Sequence, residues 1–357
     1  MMNTRTNLPR VVAFAGIVVC IASCSSPEEP VWFSDVLPGS GSVVFSSERD
    51  EDARRHLYVI DESGTRRLPV LPNEINARWV RWNHSGTALA YAVQIRGDEP
   101  NRWSTDIYVL NLEDGTTRPV VASDASNENY PRWSPDDSHL AFVSWNETPG
   151  PGVYVVRVDG TEGRRLADGE LADWCPDGRH VMFTRDSEIL TVDIEDGTEE
   201  YFARGSDPQF SPTGEWVVVG RDGVRLLGPD GETEQAITDL PDGRWQYRWS
   251  PTGRSLALLG LGIEEGSLSF GTVDVGTGRF TRLGTHVLGL EPNGYLTGPT
   301  WSPDERFFAY STVLNRYGTE QAIFFVDVAT GELRTLTDGP GVDNYPEWGP
   351  ALAGRLR

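Results

Sequence analysis

The chain has 357 residues, with 53 Asp and Glu against 31 basic residues and a formal net charge of −22 at pH 7. Every basic residue is Arg, which excludes Schiff-base and phosphate-loop lysine chemistry and leaves no lysine-rich stripe for a nucleic acid or an anionic membrane surface. No nucleic-acid partner is expected.

Residues 1–23 read as an export signal, in which Arg5 and Arg10 precede an apolar run from Val11 to Ile21 that is too short to span a bilayer. The following Ile21-Ala22-Ser23-Cys24 resembles the bacterial lipobox, and Cys20, preceded by bulky Val19, is a poorer match. The resemblance implies that Cys24 is diacylated and becomes the first residue of the mature protein; an ordinary cleaved signal is the alternative. Residues 24–41, rich in Pro, Glu and Ser, then form a tether, and the expected product is an exported, membrane-anchored lipoprotein on the periplasmic or extracellular side. Cys20 leaves with the signal, so Cys175 is the one remaining thiol and no internal disulfide can form.

From residue 42 a repeat takes over. Pro131-Arg132-Trp133-Ser134-Pro135-Asp136 is its clearest copy, and Trp82-Asn83-His84-Ser85-Gly86, Trp174-Cys175-Pro176-Asp177-Gly178, Phe210-Ser211-Pro212-Thr213-Gly214, Trp249-Ser250-Pro251-Thr252-Gly253, Trp301-Ser302-Pro303-Asp304 and Trp348-Gly349-Pro350 stand in the same phase. In each, an aromatic closes one strand, a Pro-Asp-Gly variant turns the chain, and an alternating apolar run opens the next strand. Trp82 to Trp348 is 266 residues over six intervals, a mean period of about 44. A second landmark, the outer-hairpin glycine, occurs at Gly64, Gly115, Gly160, Gly197, Gly231, Gly278 and Gly331.

This pattern resembles the TolB-like propeller repeat, over residues 42–350. The resemblance implies an all-β propeller, and the two seven-fold landmarks lead us to expect a seven-bladed β-propeller of four-stranded antiparallel blades. The first blade lacks its own Trp strand, and Asn344-Tyr345-Pro346-Glu347-Trp348 has that strand's pattern, so the ring is expected to close by pairing the C-terminal strand into the N-terminal blade. Residues 351–357 are a tail.

Connections at the Trp-Ser-Pro-Asp-Gly and Asp-Gly turns are short. Those at residues 48–55, 94–105, 145–151, 260–267 and 314–321, and between blades at 72–76, 123–129, 286–298 and 338–343, are long and share the opposite face. Candidate ligand- or partner-binding residues on that face are Arg49, Arg96, Trp103, Trp145, Tyr295, Arg316 and Tyr317, with Asn129, Tyr130, Asn344 and Tyr345 where inner strands begin. Asn-Tyr-Pro recurs in the same phase, which fits either ligand contact or closure of the blade start.

The chemistry is otherwise sparse. His139 and His180 share a repeat position, His84 replaces a turn residue, and His56 and His286 are isolated, so no pair has metal-ligand spacing. Asp193-Ile194-Glu195-Asp196-Gly197 has Gly fifth rather than sixth, a hairpin register and not a calcium loop. Gly-x-Ser-x-Gly does not occur. No catalytic residue, cofactor or metal is expected. The expected function is a non-catalytic scaffold on the long-loop face for an envelope protein or a periplasmic or extracellular ligand. The alternative is a propeller enzyme, of hydrolase or lyase type, acting on an envelope glycan or small ligand at the channel mouth.

Overall fold

The computed structural model describes residues 41–49, 54–68, 76–96, 103–122, 126–145, 150–220, 223–261, 266–288, 296–314, 320–337 and 341–352. Cys24, Tyr295, Arg316 and Tyr317 lie outside them. All the described residues belong to the compact unit Trp32–Arg357, and they form strands and turns with no helix.

Within each set of four strands the pairing is antiparallel and, except where Asp343–Gly349 joins Ser42–Ser47, between strands adjacent in the chain. Ala77–Trp82, Ala88–Arg96, Trp103–Asn111 and Thr117–Val121 form one set of four, and Asn127–Trp133, His139–Trp145, Pro151–Arg157 and Arg164–Asp168 form the next. A single parallel pair, Thr105 with Asn127, joins these two sets into one eight-stranded sheet. Four-stranded sheets follow from Glu170–Trp174, Ser206–Phe210, Arg244–Trp249 and Thr297–Trp301, each with the three strands after it. In the remaining sheet, Asp343–Gly349 pairs with Ser42–Ser47, which pairs in turn with His56–Asp61 and Gly64–Arg67.

The repeat explains these elements locally. In the inner hairpin the Ser after the aromatic accepts a backbone N–H with its hydroxyl, as in His139 N to Ser134 Oγ at 2.9 Å and Phe307 N to Ser302 Oγ at 3.0 Å. In the outer hairpin the glycine takes a left-handed conformation. Gly278 stands at φ +68°, where an added Cβ would lie 2.4 Å from the Ala236 carbonyl oxygen. Asp193, the would-be calcium ligand, instead accepts the Glu195 and Asp196 amides, as a turn residue does.

Second strands are apolar on both faces because sheets pack against sheets. All seven residues of Phe307–Val313 are buried, and Val43, Phe45, Phe307, Ile323, Phe325 and Trp348 form one cluster across two sheets. Five of the six repeat tryptophans add a polar tie. Trp82, Trp133, Trp174, Trp249 and Trp301 donate Nε1–H to the carbonyls of Glu347, Arg81, Arg132, Gln209 and Arg248 respectively, at 3.0–3.3 Å. Each acceptor sits immediately before the aromatic of another inner strand, so the tryptophans hold the walls on which those residues stand.

Two expectations need correction. Inner strands begin up to three residues earlier than the turn pattern places them, as at Asn127. His286 lies in the strand Arg279–Val287, paired with Leu268, and not in a loop.

Candidate ligand-binding site

Six of the inner strands line one cavity of 570 Å³. Its wall is set by a shared irregularity. Register shifts interrupt six of the seven inner strands just before the aromatic, for example between Arg78 and Arg81 and between Asn129 and Arg132. Within four of these bulges a bulky or acidic residue takes positive φ: Trp79 at 50°, Tyr130 at 57°, Asp207 at 49° and Tyr345 at 52°. For Trp and Tyr this is a strained conformation, which persists only where the surroundings hold it and concentrates at functional sites.

The bulges bring those four side chains into the cavity lining. Trp79 lies 4.6 Å from Tyr130 and 5.9 Å from Tyr345 between ring centroids, so the three half-buried rings make an aromatic corner. Two residues further along each strand stand the charged groups. Arg81, Arg132, Gln209, Arg248 and Glu347 line the cavity, and Asp173, at the same position, lines a small recess that shares Tyr130, Arg132, Asp207 and Gln209 with it. Glu347 bridges across, accepting Arg248 Nη2 on Oε1 at 2.8 Å and Arg81 Nη1 on Oε2 at 3.1 Å. Arg132 stands 4.0 Å from Asp173.

Burial governs the electrostatics. It pulls the Arg81 guanidinium down to about 9, opposed by Glu347 and reinforced by Arg132 and Arg248, so the group stays charged at neutral pH. Burial pushes the Asp173 and Asp207 carboxyls up, against the pull of Arg132. It also pushes up the phenols of Tyr130 and Tyr247, the latter donating to the Asp207 carbonyl at 2.7 Å. Among the described residues no group of three His, Cys, Asp or Glu could hold a metal ion.

Arg55, Leu296 and Gln321, at or near the ends of long connections read from the sequence, also line the cavity. Of the candidates read from the sequence, Tyr130, Tyr345 and Asn344 line it. The Asn residues are buried and hydrogen-bonded locally, Asn344 Nδ2 to Gln321 Oε1 at 3.3 Å and Asn129 Nδ2 to the Asn127 carbonyl at 3.1 Å. Arg49 is committed elsewhere. It bonds Asp343 at 2.8 Å and lies 5.1 Å above the Phe45 and Tyr58 rings. Trp145 ends its strand 40% exposed, away from the cavity lining, and Arg96 pairs in register with Trp103 at the end of a hairpin. Trp79, Arg81, Arg132 and Arg248 were not picked out from the sequence. The signal was a polar residue directly before every repeat aromatic, reading Arg, Arg, Asp, Gln, Arg, Thr and Glu.

No family model matches the chain. It is 29% identical over 269 residues to dipeptidyl-peptidase 5 of Porphyromonas gingivalis, covering 69% of this chain and 39% of that protein. The chain thus spans about two fifths of the length of that relative. Among solved structures, it is similar to TolB of Acinetobacter baumannii, with a TM-score of 0.54 and 18% identity over 89% of this chain and 70% of TolB. It is also similar to the periplasmic gluconolactonase of Pseudomonas aeruginosa, with a TM-score of 0.58 and 15% identity over 86% of this chain and 98% of the other. An oligogalacturonate lyase from Vibrio parahaemolyticus gives a TM-score of 0.56 and 14% identity over 84% and 86% of the two chains. At these identities the structures establish the β-propeller fold, and their activities differ from one another.

Proposed function

We propose that the protein is an exported, lipid-anchored ligand-binding propeller: seven blades in a ring closed by Asp343–Gly349, with the binding site at the mouth of the central channel on the long-loop face. One observation carries the reading. Four bulged inner strands hold Trp79, Tyr130, Asp207 and Tyr345 in strained conformations, all lining one 570 Å³ cavity. The pairing of Ser42–Ser47 with Asp343–Gly349 supports the closed ring, and the periplasmic gluconolactonase among the structural neighbours supports export. Binding without turnover is favoured because Glu347, Arg81 and Arg248 are tied into pairs that position rather than react.

The test uses the low-molecular-weight fraction of an envelope extract. It is expected to raise the Tm of the wild type and to lose that effect in the double variant Trp79→Ala/Tyr130→Ala, with the ligand recovered chemically unchanged. A shift retained in the double variant, or no shift in the wild type, refutes the cavity as the site. The Asp173–Asp207 pair, both pushed towards protonation, is the feature that would serve a propeller enzyme. A chemically altered ligand, with alteration abolished by Asp207→Asn, would establish that reading instead.

A further inference from the structure

We infer that the ligand of this cavity is a monoanion, a single carboxylate carried on a six-membered ring with an apolar face, with the carboxylate at Arg132 and the ring against the Trp79–Tyr130–Tyr345 corner. This deepens the proposed function and rests on it.

Charge is the first argument. Across the whole chain acids outnumber bases by 53 to 31, yet five arginines and only two carboxylates line this cavity. A concave mouth of one sign focuses the field onto an incoming counter-ion. Among the described residues Glu347 pairs with Arg81 and Arg248, and Glu48 pairs with Arg55. Arg132 stands outside those pairs, which leaves a place for one carboxylate.

Geometry then singles out Arg132. Glu347 takes up Arg81 and Arg248, one oxygen each. Among the described residues, Arg132 makes one side-chain hydrogen bond, Nη1 to the Pro131 carbonyl at 3.3 Å, and Asp173 stands beyond hydrogen-bond distance at 4.0 Å. A guanidinium has five N–H donors in a planar fork that fits a carboxylate with two parallel bonds. The third argument is the aromatic corner. Its rings, with centroids 4.6 and 5.9 Å apart and planes inclined at 45° and 61°, are half-buried and line the cavity, an angled apolar surface that suits the face of a ring and not a compact inorganic ion.

Isothermal titration on the full chain tests this with two ring acids and their neutral counterparts, D-glucuronate against D-glucose and benzoate against benzyl alcohol, with inorganic phosphate as an anion lacking a ring. At least one ring acid is expected to bind, at least about tenfold more tightly than its neutral counterpart and than phosphate. The acid that binds identifies a sugar or an aromatic source. Arg132→Gln is expected to weaken the acid about 10- to 100-fold, the loss of a charge-assisted contact, and to leave the neutral probe unchanged. Arg132→Lys is expected to recover part of the loss, which a folding defect would not. Neutral probes binding as tightly as the acids, phosphate binding more tightly than both, or neither acid binding overturns the inference. If both acids fail while the extract still stabilises the wild type through Trp79 and Tyr130, only the ligand chemistry is wrong; if the extract shift is absent as well, the binding reading falls too.

Discussion

His286 sits near the end of the strand Arg279–Val287 with Nδ1 2.9 Å from the Tyr310 hydroxyl and its ring edge-on to Phe324 at 4.5 Å. Burial holds its imidazole below the usual histidine range, so the folded protein resists a proton that the unfolded chain accepts at about 6.5. The sign follows: the stabilisation is complete above that pH and is lost as pH falls below it. Calorimetry from about pH 7.5 to about 5 is expected to show Tm falling more steeply in the wild type than in His286→Phe; parallel curves would remove His286 from the account. The same scale shows why the site was only partly legible in the sequence. Arg49 and Arg132 are alike as letters, but a neighbouring strand supplies Asp343 to the first, whereas the second faces the cavity. Which arginine is spent in an ion pair depends on strands that are distant in sequence.

At the scale of the element, the repeat Trp is a tie between blades as well as a core residue. Trp133 Nε1 donates to the Arg81 carbonyl at 3.1 Å, and Phe210, at the same phase, has no N–H to give. Trp133→Phe therefore keeps most of the buried ring and leaves one carbonyl without its donor. It is expected to cost about 1–3 kcal/mol, read as a lower urea midpoint at unchanged slope. A loss below about 0.5 kcal/mol would mean that the indole acts by packing alone. The strands and turns were legible because each depends on local chemistry, Ser after the aromatic and Gly at the outer turn. The bulges were not. Nothing local announces positive φ at Trp79 or Tyr130, since both residues disfavour it and only the surrounding sheets impose it. The last strand of the sheet that begins at Ser206–Phe210, Glu234–Gln235, is short for a similar reason: the chain leaves to make a parallel bridge from Thr238 to Arg279 in the next sheet.

At the scale of the whole molecule, the two ends of the fold depend on each other. All six residues of Ser42–Ser47 are buried, and Asp343–Gly349 covers the edge that His56–Asp61 does not. The C-terminal strand also supplies Trp348, stacked 6.2 Å from Phe307, and the Glu347 carbonyl that receives the Trp82 indole. Its Glu347 side chain joins Arg81 to Arg248 across the cavity. Removing residues 343–357 thus uncovers an apolar strand edge, opens a core cluster and leaves two arginines without their shared carboxylate. Large-to-small loss at Trp348 alone is worth about 3–5 kcal/mol, a large share of the roughly 5–15 kcal/mol that holds a typical native fold. The truncated chain is therefore expected to lose its cooperative thermal transition and to elute as aggregate, because the uncovered edge pairs with other chains. A monomer with a sharp transition close to the wild-type Tm would mean that the first sheet stands without its C-terminal strand and that the propeller does not need to be closed there.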